Sequence, residues 1–152
     1  GFWQGNEPNL IAPYLFSLWG RPDLAAEWVR FVVDKKYKTG VMALDGDDDA
    51  GTLSSYFVWS ALGFYPLAGS DLYIVGTPLF ENVRLDILDS SQVLEIRAPG
   101  VSESMKYVKS VKFNGQTLEN PYFGHSTIQN GGVLEFEMSS TPTQWGLRWE
   151  GL

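Results

Sequence analysis

From Asn9 to about Gly63 the apolar residues recur at helical spacing, and beyond Tyr65-Pro66 they recur at every second position. These periods mark different elements, because helix side chains return to one face about every 3.6 residues whereas strand side chains alternate. The stretch RPDLAAEWVRFVVDKKYKTG is bounded as a helix: Pro22 suits the first position, Asp23 and Glu27 favour the N-terminal end, the lysines the C-terminal end, and Gly40 follows. Its spacing predicts a face of Leu24, Trp28, Phe31 and Val32. In TLSSYFVWSALG, a second helix sets Leu53, Tyr56, Phe57, Ser60 and Ala61 on one side and ends at Gly63. An earlier helix is expected from Pro13 to Trp19.

In the second part Val83, Leu85 and Ile87 alternate with Arg84 and Asp86, Leu94 and Ile96 with Glu95 and Arg97, and Leu134, Phe136 and Met138 with Glu135 and Glu137. Such segments read as half-buried strands, here taken as antiparallel. VKFNGQTL carries Asn-Gly between apolar runs, the pattern of a two-residue hairpin, and Asn130-Gly131-Gly132 marks another turn. The chain therefore divides near Gly69-Ser70 into a helical stretch, 1–69, and a strand-rich stretch, 70–152. A helical part that short is near the lower limit for independent folding.

Composition narrows the function. With 152 residues, 44% of them hydrophobic, the chain is large enough for a packed core, and 14% aromatic residues also suit stacking on flat ligands such as sugars. The formal net charge of −7 repels a phosphate backbone, and the densest basic cluster, Lys35, Lys36 and Lys38, falls at an expected helix C-terminus, so nucleic-acid binding is excluded. There is no cysteine, hence no disulfide or thiolate metal site. No window approaches the roughly 18 apolar residues of a membrane span. The chain opens on Gly1-Phe2-Trp3 without an initiator Met and reads as a piece of a longer protein.

Two segments could carry chemistry. LDGDDDAGTLSSY packs Asp45, Asp47, Asp48 and Asp49 together, which is tolerable where the carboxylates are solvated, capping a helix, bound to a cation or partly protonated. The plainest reading makes Asp48 or Asp49 a cap for the helix after Gly51. An EF-hand loop is excluded, because its sixth and twelfth positions would be Ala50 and Tyr56 in place of Gly and Glu. In GNEP, Asn6 could be an N-cap with Glu7 and Pro8 as first helical residues, or the group could belong to a sugar or metal site. The single histidine, His125, lacks acidic neighbours, and no serine lies in a G-x-S-x-G turn.

Read in order, WQGNEP, PYLF, GDDDAGTLSSYFVWSALGFYP and YIVGTPLFENV, continuing through YVKSVKFNGQTLENPYFGHSTIQNGGVLEFEM, resemble the C-terminal part of glycoside hydrolase family 92, the calcium-dependent exo-α-mannosidases. The resemblance covers nearly the whole chain. It implies the last helices of an (α/α)6 barrel followed by an antiparallel, sandwich-like β region. It also implies hydrolysis of terminal α-mannosides with inversion, in which one carboxylic acid protonates the leaving oxygen and a carboxylate across the ring activates water. Carried over by motif, Asp49 is the general base, Asp47 its partner on the water, and Asn6 and Glu7 belong to the Ca2+ and mannose site. Asp48 is expected to point elsewhere if the segment is extended.

The family's general acid lies upstream of GNEP, so this segment alone is expected to be inactive and to depend on the remainder of the parent chain. The run Asn9-Leu10-Ile11 departs from the histidines that family members often carry there. The expected partner is a mannose-containing oligosaccharide, and the expected location extracellular or periplasmic. Two alternatives remain at this point. A noncatalytic carbohydrate-binding or packing module would show an aromatic platform on its strands, but Arg84, Asp86, Glu95, Arg97, Glu135 and Glu137 make the outward positions charged. Another (α/α)6 glycosidase or phosphorylase would be distinguished by lacking calcium dependence.

Overall fold

The computed structural model describes residues 2–87 and 91–147. The helices are α1 (Ala12–Leu18), α2 (Pro22–Lys36), α3 (Thr52–Leu62) and a short α4 (His125–Ile128). The strands are β1 (Phe64–Pro66), β2 (Leu72–Val75), β3 (Asn82–Asp86), β4 (Val93–Arg97), β5 (Tyr107–Phe113), β6 (Gln116–Thr117), β7 (Tyr122–Gly124) and β8 (Gly132–Ser139). They form a three-stranded sheet ordered β1-β2-β7 and a five-stranded sheet ordered β3-β4-β8-β5-β6.

Although α2 meets β5 of the larger sheet directly, the smaller sheet packs against the helices on one face and the larger sheet on the other. Its alternation serves both neighbours: Ile74 joins the helical core of Leu10, Tyr14, Leu18, Val29, Val32, Leu53 and Tyr56. The next residue, Val75, joins Phe64 and Phe123 in the core shared with Leu94, Ile96, Val111, Leu134 and Phe136 of the larger sheet. Buried polar bonds tie the layers: Ser17 Oγ donates to the Val75 carbonyl at 2.8 Å, and Tyr14 Oη donates to Ser60 Oγ at 2.8 Å.

Several elements follow the sequence pattern closely. Helix α2 begins at Pro22 and carries Lys35 and Lys36 in its last turn. At the β5–β6 hairpin Phe113 pairs with Gln116 across Asn114 and Gly115, both at positive φ (48° and 80°), as the type I′ geometry demands.

Two expectations are corrected. The larger sheet is mixed: β4 and β8 run parallel, with Leu94 opposite Gly132 and Ile96 opposite Leu134, while its other pairs are antiparallel. Period-two alternation reports which face is buried, not the direction of the neighbour, and the chain from β4 to β8 is long enough for a crossover. In α2 the buried side is Ala25, Ala26, Val29, Val32 and Val33, whereas Trp28 and Phe31 are 40% and 44% exposed. The helix carries two apolar stripes, and the one made of small residues packs inward.

Candidate active site

The GNEP segment forms a single 3-10 turn, Glu7–Asn9, preceded by Asn6 in an extended conformation. The Asn6 carbonyl accepts from Asn9 N–H at 2.9 Å, so the backbone follows the capped-turn reading, but the Asn6 side chain makes no cap. Asn9 steadies the turn instead, its Nδ2 donating to the Trp3 carbonyl at 2.9 Å. Asn6 is exposed and Glu7 half-buried, and neither side chain has a hydrogen-bond or ion-pair partner among the described residues.

The aspartate loop starts from an ion pair between Asp45 and Lys36 Nζ, 2.9 Å apart at the end of α2. Asp49–Gly51 then makes a tight turn with two successive left-handed residues, Ala50 (φ 52°) and Gly51 (φ 76°). A non-glycine residue in that region costs on the order of 1–3 kcal/mol, a cost met more often at functional sites than elsewhere. The turn folds Asp48 over the start of α3, where its carboxylate accepts from the Ser54 N–H at 3.0 Å and from the Ser54 hydroxyl. The Ser54 hydroxyl, with the Ser54 N–H, holds the Asp48 carboxyl below the usual carboxylate range. Asp48 is therefore the helix cap. The segment is not extended, so its direction comes from the left-handed turn and not from strand alternation. Asp47 and Asp49 are both exposed, and neither side chain has an internal partner among the described residues.

The two segments, some forty positions apart in sequence, meet backbone to backbone. A β-carbon on Gly46 would lie 2.6 Å from the Gly5 carbonyl oxygen, and one on Gly5 would lie 2.8 Å from the Asp45 carbonyl oxygen. Only glycine allows this approach, since real β-carbons do not come so close to backbone atoms. Trp3 fastens the junction, its indole N–H donating to the Asp45 carbonyl at 3.2 Å. Thus Asn6 and Glu7 follow one glycine and Asp47 the other, on loops that touch. Sequence reading singled out the acidic residues and missed Gly46 and Trp3, because the contact partners of a loop leave no periodicity.

A depression of about 740 Å³ is lined by Tyr37, Lys38, Leu44, Ser54 and Phe57 among others; Asn6, Glu7, Asp47 and Asp49 do not line it, and its link to the aspartate loop is Ser54, the residue that Asp48 caps. Tyr37 belongs to a cluster of four tyrosines: Tyr14 stacks on Tyr65 with centroids 5.0 Å apart, and Tyr37 on Tyr56 at 6.0 Å. Burial raises the phenols of Tyr14, Tyr56 and Tyr65 above their ordinary range, so they stay neutral at physiological pH. Among the described residues no three acidic or histidine side chains converge as a metal cluster. What the chain offers a cation is hard-oxygen chemistry, a carboxamide and a carboxylate at Asn6 and Glu7. Calcium takes six to eight such ligands, so these residues fit part of its shell and not the whole.

The sequence profile of the Glycosyl hydrolase family 92 catalytic domain matches residues 1–140. The chain belongs to glycoside hydrolase family 92. A family 92 α-mannosidase of Bacteroides thetaiotaomicron, solved in complex with mannoimidazole, superposes with a TM-score of 0.90 at 31% identity, covering 97% of this chain and 20% of that one. A family 92 inverting mannosidase of Bacteroides thetaiotaomicron VPI-5482 gives a TM-score of 0.86 at 34% identity, covering 95% and 20%. An uncharacterized secreted glycosidase of Arthroderma benhamiae is 26% identical over 144 residues, which are 93% of this chain and 19% of that protein. This family 92 chain thus spans about a fifth of the length of these relatives and is homologous to glycoside hydrolases.

Proposed function

We propose that this chain forms the base-bearing side of the active site of an exo-acting α-mannosidase that inverts configuration. The observation that carries the reading is the glycine-to-glycine junction of the two acidic loops: it brings GNEP beside GDDD while the side chains of Asn6, Glu7, Asp47 and Asp49 have no partner among the described residues. Asp48 and Asp45, by comparison, are engaged in a cap and an ion pair.

Asp49 takes a proton from a water molecule, whose oxygen attacks the anomeric carbon as the glycosidic bond breaks, and Asp47 orients that water. The leaving oxygen is protonated by a general acid from the remainder of the parent chain, set about 6.5–9.5 Å from the base to leave room for the water. Asn6 and Glu7 hold part of a calcium and mannose site, completed by other parts of the domain and by sugar hydroxyls. Bound calcium would supply a positive charge that orients vicinal hydroxyls of the sugar. The substrate class is then a terminal α-mannoside of N-glycan or mannan type, met outside the cytoplasm.

On this reading residues 1–69 are the last helices of an (α/α)6 barrel and 70–152 its terminal β region. The remainder of the parent domain covers the apolar outer side of the helices, where Phe2, Leu15, Phe16, Trp19 and Trp28 line a groove of about 280 Å³. A carbohydrate-binding module is disfavoured, because the outward strand positions form ion pairs, Arg84 with Asp86, Arg97 with Glu95 and Lys109 with Glu137.

The test is made in the parent protein. Asp49→Asn is expected to lower turnover of an α-mannoside by about 10²–10⁴-fold while leaving sugar binding largely intact. Glu7→Gln is expected to weaken calcium binding in calorimetry, and the first product anomer seen by NMR is β-mannose. If neither substitution changes metal binding or turnover, both loops are structural turns and the reading is wrong.

A further inference from the structure

Between the two acidic loops runs a second connection, made of side chains. Gln4, the residue before the GNEP glycine, is 1% exposed, and its Nε2 donates to Tyr37 Oη at 3.3 Å. Tyr37 Oη in turn donates to the Leu53 carbonyl at 2.9 Å, on the second residue of α3 and immediately after the aspartate loop. The phenol ring is held from the side by Tyr56, stacked nearly parallel at 8° with centroids 6.0 Å apart, and by Phe57 at 5.4 Å. One hydroxyl therefore links the backbone entering the first loop to the backbone leaving the second.

We propose that Gln4 and Tyr37 form a positioning strut that fixes the Asn6-Glu7 loop against the Asp47–Asp49 loop; the proposal rests on the site assignment given above. Packing alone does not explain Gln4. Its carboxamide oxygen is buried without a hydrogen-bond donor among the described residues, a state that costs stability because the group has given up its water. An apolar side chain of equal size would avoid that cost, so the amide serves the link to Tyr37 at the expense of stability. Burial also pushes the Tyr37 phenol up to about 12, which keeps it a neutral donor wherever the enzyme works. The strut matters because a displacement of about 1 Å at a reacting group can cost on the order of 10²-fold in rate.

The experiment compares Tyr37→Phe, Gln4→Met, their double variant and Asp49→Asn in the parent protein, measuring kcat, KM and Tm with an aryl α-mannoside, and calcium binding by calorimetry. Tyr37→Phe keeps the ring stacking and loses only the hydroxyl. The strut requires kcat to fall about 10-fold in each single variant and no further in the double, with weaker calcium binding for Gln4→Met and a Tm that for Gln4→Met is unchanged or raised. Unchanged kcat in both single variants, with Asp49→Asn inactive, overturns the strut and leaves the site assignment standing. Losses that multiply to about 100-fold in the double variant overturn it as well, since two residues sharing one function do not act independently. If Asp49→Asn keeps full turnover, the site assignment fails and the strut with it. Should Tyr37→Phe fail to fold, kcat of Gln4→Met decides alone.

Discussion

Adding one methyl group at Gly46 is the sharpest test of how closely the two loops are set. The new β-carbon meets the Gly5 carbonyl oxygen at 2.6 Å and its α-carbon at 2.8 Å, and backbone atoms cannot rotate away as a side chain would. Gly46→Ala is expected to push the loops apart, to lower kcat of the parent enzyme at least 10-fold and to cost about 1–3 kcal/mol in urea unfolding, the usual penalty of overpacking. Asp48 answers a different question. Its pKa lies below the unfolded value, so the cap contributes stability above the ordinary carboxylate range and loses it as pH falls through the depressed folded-state value. Ser54 amide exchange, measured relative to Asp48→Asn, is expected to show extra protection in the wild type at neutral pH that disappears in acid. At this scale the sequence showed that a carboxylate caps α3 but not which one, because the choice is made by the left-handed pair Ala50-Gly51, and nothing in alternating or helical spacing encodes a reversal at a non-glycine residue.

Helix α2 is tied to strand β5 by a short bond, Tyr107 Oη donating to Glu27 Oε1 at 2.6 Å. The carboxylate acceptor pushes the Tyr107 phenol up to about 12. Since the folded-state value lies above the unfolded one, this bond contributes its full stability below about pH 10 and loses it as pH rises toward 12. Tyr107→Phe is expected to destabilise the parent by about 1 kcal/mol at pH 8, and the gap between variant and wild type should close above pH 11 in denaturant titrations. Glu27 was legible only as an N-terminal charge on the helix, its true partner being eighty positions away. The same limit hid the parallel pairing of β4 with β8: burial pattern is local, whereas strand direction depends on where the intervening hairpin and α4 return the chain. What local chemistry does specify, the Pro22 start, the Asn114-Gly115 turn and the Gly63 stop of α3, was readable to within a residue or two.

The whole molecule has two unlike outer surfaces. The far side of the larger sheet is a ladder of ion pairs, suited to water, while the helical side exposes Trp19 at 66%, Phe31 at 44% and Trp28 at 40%. Helical periodicity in the sequence set Trp28 and Phe31 on one apolar face, and the structure turns these two outward because α2 packs inward through its alanines and valines. Both statements hold together if a further layer of helices closes over them, as the chain's share of about a fifth of its relatives' length invites. Phe2 and Phe31 already lie against Trp28, with centroids 6.2 and 5.6 Å away, so its ring is fixed on one side and bare on the other. Under that reading Trp28→Ala removes a buried ring from the parent domain and is expected to cost about 3–5 kcal/mol in its unfolding free energy. A free surface would give a cost within about 0.5 kcal/mol, the range of substitutions that disturb no packing. The larger value would mean that the aromatic stripe is an interior seam of the catalytic domain. Phe2, packed on Trp28, and Trp3, bonded to the Asp45 carbonyl, would then join that seam to the Gly5–Gly46 junction.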